Sequence, residues 1–348
     1  MKSILKIVLF CLGLPSVIEA QNVSEQWVAR YNGTANTFDG GYSLALDGSG
    51  NIYVTGSSFG SGTSRDYLTI KYNSTGTEQW VKRYNGEANA GDYSFSVAVD
   101  ASGNVYVTGR SDRAGIVLSD ITTIKYNPAG VQQWVTHYNG PGNGVDEGIK
   151  VLVDNSGNVY VTGRSLGSGT DQDIVTIKYN PTDGSILWAK RYNGPASSVD
   201  VSHSMVLDAS GNIYVTGESI GNSTGQDYVV IKYDPLSVEM WVRRYNGPGN
   251  GGDVANSIGL DGAGNVFVTG YSDGGGTLHD YATLKYNSSG VQQWLQRYNG
   301  TENKGDFANS VALDVSGNVY VTGGTVSPLG TNDSNFATVK YNSSGVQQ

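Results

Sequence analysis

The chain has 348 residues and a formal charge of −9. Its 49 glycines and 23 tyrosines, against 3 methionines and 15% charged residues, suit many short strands with Gly-containing turns better than packed helices. The acidic balance excludes the phosphate backbone of nucleic acid as a partner and leaves cations, sugars and other proteins.

Residues 1–20 read as a secretory signal peptide. Lys2 and Lys6 precede the apolar run "IVLFCLGL", and "SVIEA" ends on Ala20, which places cleavage near Ala20–Gln21. The run is far short of the ~20 apolar residues that a transmembrane helix needs. Cys11 lies within this leader, so residues 21–348 contain no cysteine and support neither disulfides nor thiol chemistry. The expectation is a secreted, extracellular or cell-envelope protein, monomeric, with no transmembrane segment.

From residue 21 onward the chain repeats itself. Trp27, Trp80, Trp134, Trp188, Trp241 and Trp294 are spaced 53, 54, 54, 53 and 53 residues apart, and "YNG" follows each. "VTG" and "K-Y-[ND]" also recur six times. A period near 50 residues marks propellers and other repeat arrays. The first full unit predicts four strands: A over 42–47, B over 51–56, C over 66–72 and D over 78–85. In D, Trp80, Lys82 and Tyr84 alternate with Val81 and Arg83, the period-2 signature of a strand. The A–B segment "DGSGN" and the C–D segment "NSTGT" suit a type I turn closed by a left-handed glycine. Ser237 stands where that glycine is expected in one copy and should strain its turn. The other two connections are long and fall together at the opposite end, giving each unit a loop-rich face and a plain face.

These features predict an all-β, six-bladed β-propeller of four-stranded antiparallel blades filling residues 21–348. Blade 6 has strands A, B and C but no D, whereas "SEQWVARYNG" (24–33) is a D strand with no blade. The expectation is a ring closed by this N-terminal strand, with Trp27 supplying the missing tryptophan. The alternative is a fragment of a longer envelope propeller-repeat protein.

The combined pattern "D-x-S-G-N-x-Y-V-T-G" followed by "D-Y-x-T-x-K-Y-N-x-x-G-x-x-x-W-x-x-x-Y-N-G" resembles the secreted bacterial β-propeller repeat, SBBP, over all six units. The resemblance implies an extracellular or envelope propeller and says little about ligand. The family name refers to seven blades, and here there are six. A fainter similarity to quinoprotein propellers, in the Gly130–Trp134 spacing, reflects blade mechanics, and no cofactor is expected.

Recurrence separates structural from functional candidates, because a fold feature is needed in every blade and a catalytic constellation only once. Asp47, Asp100, Asp154, Asp208, Asp261 and Asp314 are expected to be turn acceptors. Lys71 and its equivalents should meet a neighbouring blade or a carbonyl. Asp39, Asp92, Asp146, Asp200, Asp253 and Asp306 are placed at the loop-face mouth of the innermost strands. Asp66, Asp120, Asp173, Asp227 and Asp280 begin strand C on the same face. Two readings stand for these sets: caps for loop N–H groups, or hard oxygen ligands giving weak Ca²⁺ binding. The non-recurring residues Arg110, Arg164, Glu218 and Tyr271 share one position after "VTG" and mark the expected ligand site. His137, His203 and His279 share no repeat position and have no metal-ligand spacing. The functional expectation is a non-catalytic scaffold that binds protein, glycan or cation on the loop-rich face. The rival is an extracellular polysaccharide lyase or hydrolase using the same face.

Overall fold

A computed structural model describes residues 24–113, 118–300, 303–326 and 334–348; the leader and its cleavage point lie outside them. Blade 1 is β1 (Asp39–Leu46), β2 (Ile52–Phe59), β3 (Arg65–Tyr72) and β4 (Glu78–Tyr84), hydrogen-bonded in that order. Blade 2 is β5 (Asp92–Val99), β6 (Val105–Asp112), β7 (Ser119–Tyr126) and β8 (Gln132–Tyr138). Blade 3 follows with β9 (Asp146–Val153), β10 (Val159–Leu166), β11 (Gln172–Tyr179) and β12 (Ile186–Tyr192). Blade 4 comprises β13 (Asp200–Leu207), β14 (Ile213–Ile220), β15 (Gln226–Tyr233) and β16 (Glu239–Tyr245). Blade 5 comprises β17 (Asp253–Leu260), β18 (Val266–Asp273), β19 (His279–Tyr286) and β20 (Gln292–Tyr298). Blade 6 has β21 (Asp306–Leu313), β22 (Val319–Val326) and β23 (Ser334–Tyr341). Every ladder is antiparallel, as the alternation and tight turns predict.

The tight turns form as expected. Asp47 Oδ1 accepts from the Ser49 and Asn51 amides at 2.9 Å, and its Oδ2 accepts from Asn51 Nδ2 and the Tyr53 hydroxyl. Ser237 adopts the left-handed φ of +74° that glycine takes in the sister turns. Its turn is kept, with Asp234 Oδ1 accepting from the Leu236 and Val238 amides. Those side-chain bonds offset a strain that a Cβ in this region costs, about 1 kcal/mol.

The core lies between blades. Val151, Val159, Val161, Val175 and Ile177 of blade 3 pack with Tyr106, Ile121 and Trp134 of blade 2, all buried. The same sandwich recurs at each successive seam up to blades 5 and 6. Each D-strand tryptophan lies across the C–D turn of the following blade: Trp80 is 6.2 Å from Tyr126, and a Cβ on Gly130 would come within 2.9 Å of its indole. Trp80 Nε1 donates to the Pro128 carbonyl at 3.2 Å. The recurring lysine reaches the same kind of acceptor, as Lys125 Nζ does with Pro181 O at 2.6 Å. That lysine also lies over a strand-B aromatic ring, Lys125 being 5.3 Å from the Tyr106 centroid.

Closure departs from expectation. Residues 24–32 lie against blade 1, where Trp27 sits 6.2 Å from Tyr72 and covers Gly76, and Ala29 and Tyr31 pack on Leu68, Ile70 and Tyr72. These are the contacts a D strand makes with the following blade. The other half of the role, a backbone ladder with β23, is not formed among the described residues, and blade 6 remains three-stranded. The seam between blades 6 and 1 is correspondingly open. Phe336 is 86% exposed where its counterpart Tyr281 is fully buried, and Leu44 is 66% exposed where Val151 is fully buried.

Trp27 therefore stabilises blade 1 through its ring, independently of any ladder. Trp27→Ala should cost about 2 kcal/mol, below the 3–5 typical of a fully buried tryptophan because this one is 37% exposed. Chemical denaturation of the two proteins measures it, and an unchanged midpoint would mean that residues 24–32 do not hold this place in solution.

Candidate functional site

The recurring carboxylates prove to be framework. Gly33, Gly86, Gly140, Gly194, Gly247 and Gly300, each the glycine of a "YNG", donate their amides to Asp39, Asp92, Asp146, Asp200, Asp253 and Asp306 at 2.6–2.8 Å. The last five of these aspartates are at most 1% exposed. They cap the D–A loops from beneath and do not form an exposed ring of ligands. The loop they cap needs a left-handed residue, supplied by Asn36, Asn89, Asn143, Ser197, Asn250 and Asn303, all with φ near +50°.

The strand-C aspartates act as straps. Arg83, Arg191, Arg244 and Arg297 of strand D reach across strand C to Asp66, Asp173, Asp227 and Asp280 at 2.8–2.9 Å. Each guanidinium continues to a strand-B serine; Arg297, for instance, meets the Ser272 hydroxyl at 2.6 Å and its carbonyl at 2.8 Å. The tyrosine of the preceding blade completes the fork, with Tyr245 accepting from Arg297 at 3.0 Å. Blade 2 differs. His137 replaces the arginine, and Arg113, from the B–C loop, takes Asp120.

The row after "VTG" is partly brought together. Arg110 and Arg164, on β6 and β10, converge on Glu147 of β9, which is only 5% exposed. Arg164 meets it through Nη2 at 2.6 Å and Nε at 2.8 Å. Arg110 also lies 4.6 Å from the Tyr93 ring centroid and 3.8 Å from Asp112. Desolvation opposes the charge on Arg110, but Glu147 outweighs it and holds the guanidinium above its ordinary pKa. Glu218 faces His203 at 3.8 Å. Tyr271 meets His279 and Phe307 edge-on at 5.0 Å, and burial followed by the charge of Glu218 pushes its hydroxyl up. Arg65 lies over Phe38, Phe59 and Tyr93 at 4.8, 5.1 and 5.5 Å. The result is a chain of guanidinium, carboxylate and aromatic groups at the loop ends of the inner strands.

Sequence reasoning missed Tyr93, Glu147 and Phe307. The signal was available: they share one position, directly after the capping aspartate, and across the A–B ladder Tyr93 pairs with Arg110, Glu147 with Arg164 and Phe307 with Gly324. His203 is the extra residue of a β-bulge in β13, and His279 opens β19. Among the described residues, no group of three or more His, Cys, Asp or Glu side chains is arranged to hold a metal ion.

Repeated four-stranded antiparallel blades with the D strand of one blade packed on the next define a β-propeller. The chain belongs to the SBBP beta-propeller repeat family, whose pattern matches residues 26–62, 79–115, 133–169, 187–223, 241–276 and 293–330. Among curated proteins it is similar to an uncharacterized WD repeat-containing protein, L264, of Acanthamoeba polyphaga mimivirus, 24% identical over 197 residues. That match covers 49% of this chain and 13% of the relative. Among solved structures it is similar to the α-L-arabinofuranosidase Arb93A of Fusarium graminearum, with TM-score 0.50, 9% identity, and 86% and 92% of the two chains covered. It is also similar to the β-propeller domain of the Trilobed protease of Pyrococcus furiosus, with TM-score 0.47, 8% identity, and 88% and 84% covered.

Burial raises the carboxyl of Asp92 to about 6, against hydrogen bonds from Ser111 and Gly86 that lower it. A folded-state value above the unfolded 3.8 means that folding takes up a proton. This contribution to stability is fully present below pH 3.8 and is lost as pH rises through about 6. Asp92→Asn should therefore flatten the pH dependence of the melting temperature between about 4 and 6, which parallel melts of both proteins will read. Because five of the capping carboxylates are enclosed and each receives a loop amide, millimolar Ca²⁺ at fixed ionic strength should leave melting unchanged relative to chelator. A calcium-specific rise would reinstate the cation reading.

Proposed function

We propose that this protein is a secreted or envelope-exposed, non-catalytic scaffold that binds a glycan or protein ligand on the loop-rich face of its propeller. The observation that carries the reading is the division of polar groups. Recurring carboxylates cap turns, cap loops or strap strands, whereas the side chains that differ between blades gather at one end of the inner strands. Tyr93 beside the Arg110–Glu147–Arg164 bridge, and Tyr271 against Phe307 farther along the same face, combine apolar platforms with fixed donors and acceptors. That is the chemistry a sugar ring or a polar peptide loop needs. The leader over residues 1–20 supports export.

Screening residues 21–348 against a glycan array and an extracellular protein library should return ligands whose affinity falls at least tenfold in Arg110→Ala and Tyr271→Ala, with little change in melting. Ligands insensitive to both substitutions would remove the loop face from consideration. Turnover of a polysaccharide that is lost at one or two loop-face positions would favour the hydrolase or lyase reading.

A further inference from the structure

In blade 2 the strap arginine is missing and its place is open. Four sister blades show what that place is built to hold. In blade 1, Arg83 donates to the Ser58 hydroxyl and carbonyl at 2.7 Å each and to Asp66 at 2.9 Å. In blade 3, Arg191 makes the same three contacts with Ser165 and Asp173 at 2.5, 2.6 and 2.8 Å. Blades 4 and 5 repeat them with Arg244 and Arg297. Blade 2 keeps the acceptors, Ser111 and Asp120, and also Tyr84 of the preceding blade. His137 is too short to bridge them and turns instead to the Thr122 hydroxyl through Nδ1 at 2.8 Å and to Tyr84 through Nε2 at 3.3 Å.

A cavity of about 310 Å³ results, lined by Glu87, Ser111, Asp112, Arg113, Asp120 and His137. Its volume falls at the low end of small-ligand sites, about 300–1,000 Å³. Of the three carboxylates in that lining, Asp120 pairs with Arg113 and Asp112 lies 3.8 Å from Arg110, so Glu87 is the one that an incoming cation would meet first. Arg113 answers Asp120 alone, and no side chain among the described residues donates to the Ser111 carbonyl. Desolvation raises the Asp112 carboxyl, and the charge of Arg110 offsets this only in part.

We propose that this cavity binds the guanidinium group of an arginine, free or on a partner polypeptide, in the orientation that the sister blades' own arginines adopt. The fork donates to the Ser111 hydroxyl and carbonyl, while Glu87 and Asp112 balance its charge and Arg113 stays on Asp120. A lysine ammonium cannot reproduce the planar, two-nitrogen contact. The site does not depend on the identity of the loop-face ligand.

Titration calorimetry of residues 21–348 with N-acetyl-argininamide tests the proposal, with N-acetyl-lysinamide and free L-arginine as comparison arms. Saturable binding of the arginine probe, at least tenfold tighter than the lysine probe, is expected. His137→Arg should fill the cavity from within, abolish binding and raise the melting temperature. Glu87→Gln, on an exposed loop, should weaken binding several-fold with unchanged melting. Equal affinity for L-arginine supports the free amino acid as the source, and preference for the capped probe supports a polypeptide. Absence of saturable binding, equal lysine affinity, or full binding by a folded His137→Arg protein would overturn it.

Discussion

Each outer strand in this protein serves two blades, and the rest of the structure depends on that double duty. Its backbone closes its own sheet, as β4 does on β3. Its side chains clamp the next blade: the tryptophan packs on the following C–D turn, and Nε1 of Trp80, Trp134, Trp241 and Trp294 donates to a turn carbonyl, the last to Ser343 at 3.3 Å. The glycine of that turn lies close beneath the ring, where a Cβ on Gly345 would come within 2.9 Å of Trp294, and in blade 4 Ser237 takes its place. Burial of an aromatic ring stabilises by several kcal/mol, comparable with a domain's net stability of about 5–15 kcal/mol. Losing one clamp is therefore felt along a whole seam. Residues 24–32 make this distinction visible, because they clamp blade 1 without closing a sheet.

The same economy governs the polar groups. A blade has little room for an unpaired charge, because the serines, threonines and aspartates beneath the loops are nearly inaccessible to water. Each recurring aspartate is consequently spent on a local backbone or arginine donor. Asp280, for example, takes Arg297 and the Thr277 hydroxyl on one oxygen. Breaking such a pair strands a buried carboxylate, which is more costly than the pair is worth. Variation between blades is freest where no neighbour requires a particular side chain. The row from Arg110 to Tyr271 is such a place, and recognition has the freedom to develop there.

Much of this was legible in the sequence, for an identifiable reason. Turn aspartates, strand alternation and the period of 53–54 residues are local signals, and the structure bears them out. The lysine of "K-Y-[ND]", expected to meet a neighbouring blade or a carbonyl, meets a carbonyl of the next blade, as Lys125 does at Pro181. Features that depend on depth and on the partner blade are less legible. Asp146 lies eight residues before its turn aspartate, which places it at the loop face, but spacing alone does not reveal that Gly140 folds over it. Glu147 draws Arg110 from another blade, a contact spanning 37 residues that no local pattern encodes. Closure is legible only in half: residues 24–32 pack on blade 1 as a D strand would, and a ladder with β23 is not formed among the described residues.

Departures from the repeat show how tightly the framework is balanced. Lys150 stands where the other blades have a serine, and that serine's hydroxyl accepts an amide across the seam, as Ser96 does from Val151 at 3.2 Å. A charged ammonium cannot accept, so the seam between blades 3 and 4 gives up that bond and relies on packing, with Met205 fully enclosed against Leu152. His137 is the opposite case: the lost arginine is compensated by Arg113, which keeps Asp120 paired but leaves the serine acceptors unmet. One substitution is absorbed by apolar contact and the other by a replacement charge. The second leaves a cavity because a guanidinium supplied from a different direction satisfies the carboxylate without filling the volume.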